Sequence, residues 1–515
     1  MARAGAIRRA WTLFSAGGWA DRSDDAAALS LKGRLLKDRA NRASGPERVR
    51  LLSAAAEAYD AAHTLAPAPY RAINSATARL LAGNGATAQQ GARQVLTLLD
   101  DPGAARDTPY HLAASRAEAL LLLGDQTGAA EAMAVAAAAD PDGWDDRAAT
   151  LVQLREIIAA QGGAPHWLAP FEPPASLHFA GHMALGAGGP AEAALSQATD
   201  DLLARHRIGF GWGALAAGSD IVIAERLVAA GGVLHVVLPS PPDSFAVQSV
   251  LPAGGDWQDR FEALMAQAQS VRIAADLPGR VHDQLATEQA GRLAIGSALL
   301  NARRLGSRCV QWLVEDAVGG GPNTARQATL WPAAAGPQER IRIPRETAVE
   351  RLFLPEEPDR ARRLVTLMSI AIDVPPRCGS TALANLTGPI ASLLRNQVPP
   401  ASVQAAAGRW TVVLEQPDAA LDLVTQLLDL PGSPPSIGLH LVIEPVMADP
   451  ASGTLIAYGT GTRLAMQLQA MAPLGTALCS DALAVALAAS GSRNRTEFYH
   501  SGEDGTDGPV HMLAQ

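Results

Sequence analysis

The sequence predicts a multidomain protein. It has N-terminal all-α helical repeats, a central α/β domain built on a parallel sheet, and a C-terminal α+β domain with a split ferredoxin-like order. Three observations carry this. At 515 residues the chain exceeds what one hydrophobic core usually holds. Residues 1–160 are rich in Ala and Leu with no strand pattern, and a Pro-rich joint, HWLAPFEPPAS (166–176), ends them. Beyond the joint, short apolar runs alternate with helical patterns in two blocks, separated by the Gly- and Pro-rich stretch GGGPNTARQATLWPAAAGPQER (319–340). The expected domains are therefore 1–165, 175–318 and 364–515, with a linker at 319–363.

The helical block contains a periodic unit. In residues 110–141, Ala117, Ala129 and Ala136 are the small positions and Met133 is the bulky one. Gly124 breaks the first helix and Pro141 ends the second. The spacing recurs upstream as Ala43, Ala55, Tyr59, Ala62 and Pro67. With a period of about 34 residues, this resembles tetratricopeptide repeats, in which small residues sit where paired helices cross closely. An Ala-rich bundle accounts for the same residues. Either reading implies a scaffold that docks a protein partner. The opening MARAGAIRRAWTLFSAGGWADR reads as an amphipathic lead-in helix, because its apolar run is too short for a signal peptide.

In the middle block, LHFAGHM, RIGFGWG, VLHVVLP, VRIAAD and CVQWLVED read as buried strands. Helices at about 190–205, 219–231, 256–270 and 285–305 separate them. Continuous apolar strands between helices predict a parallel sheet covered on both faces. In the last block the order is a strand at 364–374, a helix at 380–395 and a hairpin at 403–415. A helix at 418–429, a strand at 437–446 and a helix at 460–472 follow. That β-α-β-β-α-β order is the basis of the ferredoxin-like reading.

A net charge of -9 argues against nucleic acid as the main partner, since phosphate backbones need a clustered basic surface. No run of about 18 apolar residues occurs, so no membrane span is expected. Cys309, Cys378 and Cys479 are few, odd in number and far apart, which suits a reducing cytoplasm.

The segment GFGWGALAAGSDIVIAERLVAAGG (209–232) reads as a strand, a glycine-rich turn and a helix opening at Ser219 and Asp220. Such a turn lets backbone approach a ligand, and the helix start favours anions. Its spacing is not the dinucleotide fingerprint. With FAGHM before it, and LHVVLPSPPDSF, Trp257, Phe261 and Glu262 after it, residues 175–316 resemble the Rossmann-like nucleotide sensors of the SLOG (SMF/DprA–LOG) group. The version in question occurs in bacterial multidomain signalling proteins. The resemblance implies a nucleotide or nucleotide-derived ligand at the strand ends, on Gly181, His182, Gly211, Gly213, Gly218, Ser219 and Asp220. Plainer roles stand beside it: a backbone-bonded strand-end residue for His182, a helix N-cap for Asp220 and an ordinary helix residue for Glu225. The PGGxGT motif of hydrolytic relatives is missing, which counts against hydrolysis.

IAIDVPPRCGSTAL (370–383), AAAGRWTVVL (405–414) and YGTGTRLAMQLQAMAPLGTALCSDAL (458–483) resemble class III nucleotidyl cyclases over roughly 364–510. Tyr458-Gly459, Leu468, Gly475 and Ser480-Asp481 fall in register with the family's last motif. Carried over residue by residue, Asp373 matches the first metal-binding aspartate. The second metal aspartate falls on Arg409, the purine-selecting lysine on Ala405 and its partner on Ile456. The ribose-orienting asparagine falls on Arg463, and the transition-state arginine on Gln467. A two-metal transfer needs both carboxylates. A guanidinium in place of one turns attraction into repulsion, about 4 kcal/mol per charge at about 4 Å and an effective dielectric near 20. The resemblance thus implies a homodimeric pseudoenzyme domain. Arg377, Arg409 and Arg463 are its candidate anion ligands, and Asp373 is the one residual metal position. The whole chain reads as a cytoplasmic nucleotide-signalling scaffold. The alternative is an active cyclase or a nucleotide hydrolase.

Overall fold

Alanine at the helix crossings and glycine or proline between helices shape the first part of the chain. In the computed structural model the described residues are 7–101, 107–183, 185–275, 283–317, 319, 321–346, 361–406, 408–491, 496–500 and 509–513. They form two compact units, Met1–Pro173 with Arg304–Gly306, and Pro174–Arg303 with Ser307–Gln515.

The first unit is helical: α1 (Ile7–Ala16), α2 (Ala26–Ala40), α3 (Gly45–Leu65), α4 (Pro69–Leu81), α5 (Gly85–Leu99), α6 (Pro109–Leu122), α7 (Gln126–Ala139) and α8 (Trp144–Ala160). Each of α2 to α6 packs on the next, and α8 packs on α4 and α6. Ala117, Ala129, Met133, Ala136, Ala55 and Ala62 are all fully buried at these contacts. Gly124 ends α6 with φ +86°, a backbone state that only glycine adopts freely. Polar side chains from alternate helices meet inside the unit. Thr77 of α4 and Gln153 of α8 both donate to the buried Glu118 of α6, and Lys37 of α2 donates to Gln153 Oε1 at 2.8 Å. Burial raises the Glu118 carboxyl above the usual range. Gly33 of α2 faces the Tyr59 ring, where an added Cβ would lie 2.8 Å from two ring carbons. Gly33→Ala is expected to lower stability by about 1–3 kcal/mol, read as a shift of the urea midpoint.

The second unit contains two sheets. The first comprises β1 (Ala175–Gly181), β2 (Ile208–Gly213), β3 (Val233–Leu238), β4 (Ser270–Ile273), β5 (Cys309–Glu315) and β6 (Gln338–Arg342). The order is β4-β3-β2-β1-β5-β6, and every pairing is parallel. Its helices are α9 (Pro190–His206), α10 (Ser219–Ala229), α11 (Pro242–Ser249), α12 (Trp257–Gln267), α13 (Gln284–Leu305) and α14 (Pro322–Leu330). Two expectations are corrected. Strand β4 is an edge strand with Val271 and Ile273 exposed, not a buried one. The stretch read as a linker from 319 instead supplies α14 and the edge strand β6. Its composition hid this, because a chain of amides fastens it. His178 Nδ1 accepts from Gln311 Nε2 at 3.1 Å, so the ring proton sits on Nε2 and is donated to Gln327 Oε1 of α14 at 2.9 Å. Gln338 of β6 completes the chain to Gln311 Oε1 at 2.6 Å and to the Ala328 carbonyl at 2.9 Å. Burial pushes the His178 pKa down to about 4, against the opposing hydrogen bond to Gln327.

The second sheet holds β7 (Arg362–Ala371), β8 (Val403–Ala406), β9 (Arg409–Leu414), β10 (Ser436–Ala448), β11 (Leu455–Ala457), β12 (Thr476–Ser480), β13 (Thr496–His500) and β14 (Val510–Leu513). The order is β13-β14-β12-β10-β7-β9-β8, with β11 added to β10. The pairings β10–β7, β7–β9 and β9–β8 are antiparallel, and β10 runs parallel to β12. Helices α15 (Ser380–Gln397) and α16 (Pro417–Leu428) intervene as expected, and α17 (Gly461–Met471) and α18 (Asp481–Ala489) follow β11 and β12. Met368, Ile370, Trp410 and Val412 form the main core with α15, α16 and α18. Leu367 and Val413 face the other way, with Ala465 of α17. Gly438 lets α17 ride on β10, since an added Cβ would meet the Ala465 carbonyl oxygen at 2.1 Å.

The two sheets share one unit, where separate domains were expected. Helix α13 lies against α18 at Gly296, where a Cβ would stand 1.9 Å from the Val485 carbonyl oxygen. Arg272 of β4 pairs with Asp481 at 2.5 Å, and Arg362 of β7 pairs with Asp283. Asp481 also accepts from His511 at 2.7 Å. Although burial opposes it, the hydrogen bond from His511 and the Arg272 guanidinium hold the Asp481 carboxyl below the usual range.

Candidate functional site

The parallel sheet brings the predicted residues of the middle block together at the C-terminal ends of β1 and β2. Ser219 Oγ donates to the His182 carbonyl at 2.8 Å, and the Ser219 N–H points to the same oxygen at 3.3 Å. Asp220, at the start of α10, accepts Gly181 N at 3.1 Å and Ala216 N at 3.4 Å. Its burial pushes the carboxyl up to about 7, although both backbone donors favour the charged form. Gly218 has φ +95°, and a Cβ there would lie 2.9 Å from the Met183 carbonyl oxygen. These residues lock two strand-end turns to one another.

Gly211 and Gly213 have a different job. An added Cβ would meet Leu227 Cδ2 at 2.3 Å at the first and the Phe179 ring at 2.4 Å at the second. Their missing side chains make room for core groups of the protein, not for a ligand.

Sequence reasoning overlooked the turn before α9. The order of the strands reverses at β1, which lies between β2 and β5, and open parallel sheets bind ligands at that point. The turn there follows Gly181 and carries three glycines, Gly186, Gly188 and Gly189, with Pro190 leading into the 17-residue α9. The glycines just ahead of a helix-starting proline were the available signal. His182 belongs to this turn. It is 3% exposed, its Nε2 bonds to the Ile343 carbonyl at 2.9 Å, and its Nδ1 has no partner among the described residues. Burial depresses its pKa, so the ring is neutral and Nδ1 carries a lone pair.

In the second sheet, Ala371 of β7 lies directly opposite Arg409 of β9, and Asp373 follows just past the strand end. Asp373, Arg377 and Arg409 are all exposed at this end. Arg463 is elsewhere. It is exposed on the first turn of α17, where Gly461 touches Leu367 and Val442, roughly 20 Å along β7 from Asp373 at about 3.3 Å per residue. One chain therefore does not gather the three arginines. Ala405 pairs with Trp410, and Ile456 pairs with Met447. Among the described residues no group of His, Cys, Asp and Glu is arranged to hold a metal ion. A separate cavity of about 390 Å³ opens near the start of β7, lined by Val365, Val413, Val446 and Leu455, with Arg363 and Glu415 also on its wall. Among the described residues no helix is long and apolar enough to cross a membrane.

No family model and no curated protein matches the chain. Solved structures that resemble part of it include an adenylate cyclase from Trypanosoma brucei in its monomeric state, 16% identical, covering 31% of this chain and 91% of that chain at a TM-score of 0.25. The adenylyl cyclase CyaB from P. aeruginosa is 10% identical over 30% of this chain and 95% of its own, also at 0.25. The guanylate cyclase domain of RhGC from Catenaria anguillulae, in complex with GTP, is 12% identical over 30% and 96%, at 0.24.

Proposed function

We propose that the chain is a nucleotide-signalling scaffold whose C-terminal part, Arg362 to Leu513, is a ferredoxin-like, class III cyclase-type domain that no longer cyclises nucleotides. The observation that carries this is the register placing Arg409 opposite Ala371, at the strand end from which Asp373 projects. A guanidinium at that point opposes the divalent ions a two-metal transfer requires. The tetratricopeptide-like helices dock a protein partner, and the SLOG-like sheet takes a nucleotide or nucleotide-derived ligand at its strand ends. A second copy of the chain completes the C-terminal site, since Arg463 is too distant to join Arg377 and Arg409 of its own chain. Exposed Met447 of β10, Tyr458 just past β11 and Met466 of α17 support a homodimer face. A cytoplasmic setting suits the three free thiols.

Incubation with ATP, GTP, CTP and UTP and manganese, followed by chromatography, tests the reading. No cyclic product is expected from the wild type, and titration calorimetry with GTP should show binding that magnesium does not strengthen. Arg409→Asp should create manganese binding absent from the wild type, visible by paramagnetic relaxation, and Asp373→Ala should abolish it again. Cyclic product from the wild type that vanishes in Asp373→Ala would refute the pseudoenzyme.

A further inference from the structure

The strap Ile343–Glu346 leaves β6 and crosses the C-terminal edge of the parallel sheet to the start of α9. Ile343 N donates to the Glu315 carbonyl at 2.8 Å, and the Ile343 carbonyl accepts from His182 Nε2 at 2.9 Å. Arg345 pairs with Asp316 just past β5. The strap ends with the Glu346 carboxylate against the glycine turn. It accepts Gly186 N and Ala191 N, each at 3.2 Å. These are the backbone donors that a phosphate takes at the start of a long helix.

We infer that Glu346 is a built-in stand-in for a phosphate: the turn 186–191 is an anion site for the phosphate group of a nucleotide, and the strap closes it until such a ligand displaces the carboxylate. The inference deepens the nucleotide reading of the middle domain and rests on it. Three features fit. The carboxylate fills the space that the glycines leave, since a Cβ on Gly189 would stand 2.6 Å from Glu346 Oε2 and one on Gly186 3.2 Å from it. His182, in the same turn and bonded to the same strap, keeps a buried lone pair on Nδ1 with no donor among the described residues. A hydroxyl or N–H of a phosphorylated ligand supplies such a donor, whereas a carboxylate does not. The end of the strap is also free to exchange: Glu346 and Arg345 are both exposed, whereas Ile343 at its start is buried. The remaining charges at the turn are already committed, because Glu192 accepts Gly188 N at 2.8 Å and also pairs with Arg260 at 2.7 Å. A tethered carboxylate competes at a millimolar-scale effective concentration, so it weakens phosphate binding without abolishing it.

The test is titration calorimetry of the full chain with ADP and, separately, pyrophosphate. Glu346→Ala should tighten both at least tenfold over the wild type, and Glu346→Gln should fall between. Gly189 has an ordinary φ, so Gly189→Ala folds, and its methyl occupies the oxygen position. The double variant Glu346→Ala/Gly189→Ala should lose the gain. ADP bound equally by the wild type and Glu346→Ala overturns the self-occupied site and leaves the nucleotide reading standing. Tightening that survives Gly189→Ala overturns the placement of the site. No heat from any variant removes both inferences.

Discussion

Gly296→Val is expected to lower the melting temperature sharply and to split one thermal transition into two. The substitution has no room. The Cβ alone would stand 1.9 Å from a backbone oxygen of α18 and 2.8 Å from Val485 Cγ1. A backbone atom cannot swing aside as a side-chain tip does, so α13 must move away from α18. Overpacking of this kind costs about 1–3 kcal/mol or more. Here it also opens the joint where Leu300 of α13 packs on the core of the second sheet. Once separated, each sheet should unfold with its own midpoint in scanning calorimetry. Gly388→Ala is the matching control. Gly388 lies within α15, just before Pro389, and no group from another element is within 4 Å of its added Cβ, so that change should leave the joint between the sheets and the single transition intact. An unchanged melting profile for Gly296→Val would show that the two sheets are not joined through these helices.

The second large effect is an acid response hidden in the wild type and exposed by single substitutions. Asp220 titrates at about 7 when folded against an ordinary 3.8, because burial disfavours its charge. The folded state therefore holds this proton more tightly than the unfolded chain does. Its contribution to stability falls as pH rises from about 4 to 7, by about 4 kcal/mol in all. His178 titrates at about 4 against an ordinary 6.5, again because of burial. Here the unfolded chain binds the proton more tightly, so stability is lost as pH falls from about 6.5 to 4, by about 3 kcal/mol. The two slopes oppose each other across nearly the same window. Relative to the wild type, Asp220→Asn should lose stability on acidification from pH 6.5 to 4, and His178→Gln should gain it. Urea midpoints at intervals across that range measure both. Parallel pH profiles for the wild type and both variants would mean that neither group is held in its neutral form.

Much of this architecture can be read along the chain. The runs at 175–181, 208–213, 233–238 and 309–315 are mostly apolar and largely buried on both faces, because a parallel sheet covered by helices leaves no wet side. The order of elements from 362 to 448 follows from apolar periodicity and turn residues in the same way. Segment 322–342 was not legible. Strand β6 is QERIR, polar at four of its five positions, and reads as a linker until Gln311, Gln327 and His178 are brought together in space. An edge strand needs only one packed face, and its pairing depends on a partner strand far away in sequence.

Residues at the candidate sites divide along the same line. Local order alone marks Gly218, Ser219 and Asp220 as a helix start and the hairpin that pairs Ala406 with Arg409, whereas Arg409 comes to lie opposite Ala371 only when β9 packs beside β7. What a glycine is for cannot be decided that way. Gly211 and Gly213 are empty so that Leu227 and Phe179 can pack, while Gly186 and Gly189 are empty around the Glu346 carboxylate, 157 residues beyond Gly189 in the chain. Periodic burial is a property of neighbouring residues and so is written locally. The occupant of a cleft is chosen by whichever distant group the folded chain carries to it, and only the packed structure reveals that.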